Sequence, residues 1–216
     1  ETVPPVAFAA AYGSAVMKQA GYAGSNMVDY IFAVDDAVAW HAENWARNGL
    51  RHYSPLGFLP GSAMAHVQRA GAGVYFNVPA LDGDAKAKYA VVEVDRLCAE
   101  LGDWQDLYLS GRMQKPVLQL VENERVAQCN ALNLEQALRT ALLLLPPSFS
   151  EAELYTTISA ISYTGDPRML AGEHPDKPKQ IALGGIAGFR TLYSPAMTLH
   201  GSSPPHPSDP ASDKKG

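Results

Sequence analysis

Eight residues, Met27 to Val34, constrain this chain more than any others. They carry one charge, Asp29, among Val28, Tyr30, Ile31, Phe32, Ala33 and Val34. The alternation is too weak for a half-exposed edge strand. The segment reads as a strand buried on both faces, which requires a sheet covered on both sides. Asp35 and Asp36 follow and open a helix through Ala37, Val38, Trp40, His41 and Trp45, with acids at its positive end. Asn48-Gly49 stops that helix. Upstream, the apolar run Val6 to Ala11 enters a tight turn at Tyr12-Gly13-Ser14, where Gly13 supplies backbone freedom.

Downstream, residues 74–78 and 88–94 read as two strands of a hairpin or meander. After Lys115 the character changes. Residues 130–145 are strongly helical, and Ser150-Glu151-Ala152-Glu153 is a capping box ahead of Leu154 to Ser162. Residues 186–193 form a last short helix. Strands with helices come first and helices alone follow, which predicts an α+β architecture. Residues 1–117 form the first domain, 118–194 the helical one, and 195–216 a disordered tail. That tail holds five prolines and four serines among 22 residues.

Composition excludes several classes. Hydrophobic residues make up 47% of the 216 and charged residues 18%, a globular balance. The formal charge of -5 argues against a nucleic-acid partner, since phosphate binders carry a basic surplus. Cys98 and Cys129 are too few for a disulfide scaffold or a structural zinc. No apolar run approaches the roughly 18 residues of a membrane span.

A Gly-Ser turn followed by a strand bearing a carboxylate is the layout of the polymerase-β-like nucleotidyltransferases. A nucleoside triphosphate needs a cradle of backbone N–H groups and a hydroxyl. The adjacent carboxylate must hold magnesium against the phosphates. Gly13 and Ser14 fit the cradle and Asp29 the metal ligand. The usual Asp-x-Asp pair is absent, because Met27 and Ile31 flank Asp29 two places away. Asp35 falls on Asp29's side by the period of two and is the candidate second acid. Asp36 reads more readily as a helix cap.

Longer segments carry a closer resemblance. They include Tyr12-Gly13-Ser14-Ala15-Val16, and Val34-Asp35-Asp36 with Val38-Ala39-Trp40-His41. Gly111-Arg112-Met113-Gln114-Lys115-Pro116-Val117, Ser162 to Met169, Lys177 and Phe189 to Tyr193 continue it. In these the chain resembles the mitochondrial translocator assembly and maintenance family, the mitochondrial phosphatidate cytidylyltransferases. The resemblance runs in order over residues 7–193. It implies a nucleotidyltransferase domain followed by a winged-helix-like domain, with the active site between them. It implies CTP and phosphatidic acid as substrates, Mg2+ as cofactor and CDP-diacylglycerol for cardiolipin synthesis as the outcome. It also implies peripheral attachment to the matrix side of the mitochondrial inner membrane.

Asp29, Asp35, Ser14 and Lys115 are the catalytic candidates, with Asp29 and Asp35 on the metal. Tyr12, Gly13, Ser14, His52, Tyr75, Asn77, Arg112 and Lys115 are the nucleotide-binding candidates. Lys115, one helical turn after Arg112, suits a triphosphate oxygen as a point charge. His52, in the loop before Pro55, is placed to close over nucleotide. Asn77 shares a strand face with Tyr75 and is able to read a pyrimidine edge. Arg168 is a candidate for the lipid phosphate, and His41 for a substrate role. Lys88 reads as surface. Two rival readings remain: a nucleotidyltransferase with another acceptor, and an inactive nucleotidyltransferase fold serving as an assembly factor for protein import.

Overall fold

The computed structural model describes residues 3–13, 16, 27–53, 74–79, 86–163 and 176–199. Strand β1 is Phe8–Tyr12, β2 Met27–Val34, β3 Tyr75–Asn77, β4 Lys86–Glu93 and β5 Leu118–Val121. They form one mixed sheet in the order β3-β4-β2-β1-β5. Strand β2 is central, antiparallel to β1 and parallel to β4. The parallel pair requires a crossover, and helix α1, Ala37–Asn48, lies within it, followed by a 3-10 turn at Gly49–Arg51. Asp36 caps α1, its carboxylate accepting from the backbone N–H groups of Val38 at 2.8 Å and Ala39 at 3.0 Å.

Both faces of β2 are covered, as its sequence requires. Ile31 and Ala33 point to one side with Phe8, Ala10, Ala90 and Val92. That side is covered by helix α2 (Val94–Asp103) through Leu97 and Leu101, and by helix α3 (Tyr108–Met113) through Leu109 and Met113. The other side carries Phe32, Val34, Tyr89 and Val91, which pack on Ala37 and Trp40 of α1. The hairpin reading of β3 and β4 holds, with Tyr75 opposite Val91 and Asn77 opposite Tyr89.

The second half is helical among the described residues. Helix α4 runs Glu124–Leu144, α5 Glu151–Ile161, α6 Lys177–Gly184 and α7 Ile186–Leu199. Their core joins Leu138, Leu154, Ile158, Phe189 and Tyr193, with the Tyr155 and Phe189 rings stacked at 4.9 Å. The capping box at Ser150 and Glu153 is present.

Four boundaries differ from those read in the sequence. Strand β5 extends the sheet beyond residue 117, and Val126 at the start of α4 packs into the sheet core. The sheet thus takes in Leu118–Val121, and its core takes in the start of the long helix. Helix α4 begins at Glu124, where Asn123 caps it by accepting from Val126 N–H at 3.1 Å. Helix α6 lies in a stretch to which the sequence assigns no element. Pro178 sits in the first turn, where no backbone N–H is needed. Helix α7 continues through Pro195 to Leu199, and Ala196 and Met197 are buried in the helical core. Residues 195–199 are therefore structured. The rest of the expected tail, 200–216, lies outside the described residues.

A buried polar joint ties the halves together. Asn133 of α4 accepts from Trp104 Nε1 at 2.8 Å and from Gln114 Nε2 at 3.1 Å, and donates to the Ser110 carbonyl at 3.1 Å. Gly111 lies so close to Ser162 that a Cβ there would sit 2.1 Å from the Ser162 Cβ.

Candidate active site

The turn at Gly13 and the strand that follows bring the first site residues together. Tyr12 and Asp29 are opposed in the β1–β2 register, so their side chains share a face. Gly13 has φ of +94°, a conformation that disfavours any side chain. A Cβ built there would meet Asp29 Oδ2 at 2.9 Å. Glycine is thus required twice, for the turn and for the carboxylate's seat. Ser14 lies outside the described residues.

Across the sheet, Lys88 of β4 is in register with Asp29 on the same face. Its ammonium lies over the Phe76 ring, 4.3 Å from the centroid. Arg112 of α3 stands over the Tyr12 ring at 4.4 Å. Tyr108 stands between the two aromatic supports, packing edge-on against Phe76 at 5.8 Å and neighbouring the Tyr12 hydroxyl. Burial pushes the Asp29 carboxyl up from the ordinary aspartate value, while the charges of Lys88, Arg112 and Lys177 act in the opposite direction. Three cations thus act on one carboxylate, and one of them, Lys177, comes from the first turn of α6 in the helical half.

Among the described residues, no three His, Cys, Asp or Glu side chains gather into a group able to hold a metal. Magnesium does not need one, since it commonly keeps several waters and binds one or two carboxylates plus substrate phosphates. Asp29, with its carboxylate set against the Gly13 turn, fits that one-carboxylate role. Asp35 does not join it. It is exposed, beyond the far end of β2. The strand rise alone puts Val34 roughly 17 Å from Asp29. The period of two put both acids on one side of the strand but at opposite ends of it.

The remaining candidates divide over other places. Tyr75, Asn77 and His52 lie on the α1 side, with the sheet between them and Asp29. There, Tyr89 accepts from Asn44 Nδ2 at 2.8 Å and is 2.8 Å from His52 Nδ1. The Tyr53 hydroxyl is 2.9 Å from His41 Nδ1 and accepts from Asn44 Nδ2 at 3.0 Å. His41, Asn44, His52 and Tyr53 are all buried, and the Tyr75 ring packs edge-on against His41. Asn77 is 1% exposed, and its amide has no hydrogen-bond partner among the described residues.

Lys115 is buried at the joint, donating to the Gly111 carbonyl at 2.6 Å and to Ser162 Oγ at 2.8 Å. Burial, aided by the nearby Arg112 charge, drives its ammonium well below the ordinary lysine value. Its donors are engaged with protein oxygens rather than presented to solvent. Asp166 and Arg168 lie outside the described residues. Lys88 and Lys177 were not singled out in the sequence as site residues. Lys88 gains meaning only once β4 is known to run parallel to β2 and in that register. Lys177 needs the packing of the helical half.

A model of the family described as mitochondrial phosphatidate cytidylyltransferase matches residues 1–213. The chain belongs to that family. Curated relatives bearing the same name include a Dictyostelium discoideum protein, 39% identical over 220 residues covering 91% of this chain and 51% of the relative. A Mus musculus protein is 44% identical over 195 residues, covering 87% and 57%. One from Danio rerio is 43% identical over 191 residues, covering 85% and 56%. The chain thus spans about half the length of the curated relatives it matches. For this family member, the Gly13 turn and the Asp29 cluster both lie inside the matched region.

Proposed function

We propose that this chain catalyses the reaction for which its relatives are named, with CTP as cytidylyl donor and phosphatidate as acceptor. A phosphate oxygen of phosphatidate attacks the α-phosphorus of CTP. The new P–O bond forms as the bond to the β-phosphate bridging oxygen breaks. CDP-diacylglycerol forms and pyrophosphate leaves. The nucleophile is already an anion, so no strong general base is needed. Holding two anionic substrates in line is the main task, and positioning with electrostatics supplies most of the rate. The observation that carries this reading is the carboxylate of Asp29, seated against a left-handed glycine, with Lys88 in register on the next strand and Arg112 over the Tyr12 ring opposite it.

In this reading the first half is a polymerase-β-like nucleotidyltransferase domain and the second a winged-helix-like one. The Gly13 turn, with Ser14, cradles the β and γ phosphates. Arg112, braced on Tyr12, neutralises them from the same flank. Asp29 would hold Mg2+, which when bound offsets charge on the α-phosphate and the departing pyrophosphate. No described helix is long and apolar enough to cross a membrane. Peripheral contact with the matrix side of the mitochondrial inner membrane is the matching location, with cardiolipin synthesis the pathway served.

The test is pyrophosphate release by the purified chain with magnesium and detergent-dispersed phosphatidate, CTP being compared with ATP, GTP and UTP. CTP-dependent release with stoichiometric CDP-diacylglycerol is expected. Nucleotide binding without lipid product, or equal use of all four triphosphates, would overturn the reading.

A further inference from the structure

The site has an order across the strands that assigns a role to Lys88. Strands β1, β2 and β4 are adjacent, and Tyr12, Asp29 and Lys88 stand opposite one another on one face. Neighbouring strands are roughly 4.8 Å apart. Asp29 is therefore at the centre of a short row, with Arg112 over Tyr12 on one flank and Lys88 over Phe76 on the other.

We propose that Lys88 binds the phosphate of the acceptor, fixing the phosphomonoester on the β4 flank of Asp29 and in line with the departing pyrophosphate. This rests on the cytidylyltransferase reading above. In the cytidylyltransferase reading, the Gly13 turn on the β1 flank takes the β and γ phosphates, with Arg112 beside it over Tyr12. In-line displacement requires the attacking oxygen to approach the α-phosphorus from the side opposite the leaving group. Along the row, that opposite side is β4, where Lys88 supplies the positive charge. A phosphomonoester brings close to two negative charges toward a triphosphate, and a compact ammonium suits it as a point charge. The Phe76 ring beneath the ammonium supports it on an aromatic face, which holds the charge near Asp29. Lys88 forms no bond to phosphorus. It sets the position of the attacking oxygen and reduces repulsion between the two substrates.

The experiment separates the two substrates by direct binding. The chain is saturated with α,β-methylene CTP and magnesium, then titrated with dihexanoyl phosphatidate by calorimetry. Lys88→Gln should weaken phosphatidate binding at least about tenfold and leave the nucleotide affinity within about twofold. Lys88→Met keeps an apolar stem on Phe76 and serves as the second variant, with the same expectation. Arg47→Gln, exposed on α1 on the other side of the sheet, is the comparison and should spare phosphatidate binding. The assignment is overturned if the Lys88 variants bind phosphatidate as the parent does, or lose nucleotide as strongly as lipid. It is also overturned if Arg47→Gln weakens phosphatidate binding as much as the Lys88 variants do. A parent chain that binds no nucleotide would bring down the cytidylyltransferase reading itself, a result visible before any lipid is added.

Discussion

The hydroxyl of Tyr193, in the last helix, donates to the backbone carbonyl of Gln114 at 2.9 Å, at a site with no exposure to solvent. Residues 79 apart in sequence thus share one buried hydrogen bond. Tyr193→Phe removes the donor and leaves that carbonyl unsatisfied, at a cost of about 1–2 kcal/mol. For a chain of this length the melting temperature should fall by about 3–6 °C. An unchanged melt would show that the joint adds nothing to stability.

Asp29 and Asp35 should separate cleanly. Asp29→Asn keeps shape and removes the charge at the centre of the row, and turnover should fall at least about a hundredfold, roughly 3 kcal/mol in the transition state. Asp35→Asn, exposed at the other end of the strand, should stay within about threefold of the parent. Pyrophosphate release by the two folded variants checks both. Comparable losses would restore the shared-metal pairing that the sequence alone had favoured.

Glu151 in the first turn of α5 accepts from Arg190 Nε at 2.7 Å and from a terminal guanidinium nitrogen at 2.6 Å. The Arg190 hydrogen bonds hold its carboxyl below the ordinary glutamate value. A carboxyl depressed in the folded state contributes stability that is complete above its unfolded value. That contribution is lost as pH falls through the folded value. The melting temperature should therefore decline more steeply between about pH 5 and pH 3 for the parent than for Glu151→Gln. Parallel curves would mean the pair is too well solvated to matter.

Local patterns that a sequence displays directly were readable here. The two-faced burial of Met27–Val34, the hairpin of Tyr75 and Val91, and the Ser150 capping box each depend on neighbours in sequence. Gly13 and Asp29 each stood out locally, as a turn glycine and as the one charge on an apolar strand, but their contact comes from the pairing of β1 with β2. Strand β5 was not legible, because it is only four residues long and all four are exposed, so neither face is marked as buried. Asn77 shows the limit differently. Period two placed it correctly on a face with Tyr75, but which face opposes Asp29 depends on strand order. The role of Lys88 was hidden similarly, since its place beside Asp29 is a property of pairing between strands 59 residues apart.

The polar cluster behind the sheet has a consequence for how this site tolerates change. A row laid across strands depends on alignment and is indifferent to how long the connecting loops are. If β4 slid by one residue along β2, Ala87 or Tyr89 would come opposite Asp29 and the lysine would turn to the α1 side. Such a slide would carry the Tyr89 hydroxyl away from Asn44 and His52 and strand buried polar groups. The buried tyrosine thus acts as a detent on the far side of the sheet. Insertions in the segment before β4 can vary in length without moving Lys88, provided that Tyr89 still finds its two partners.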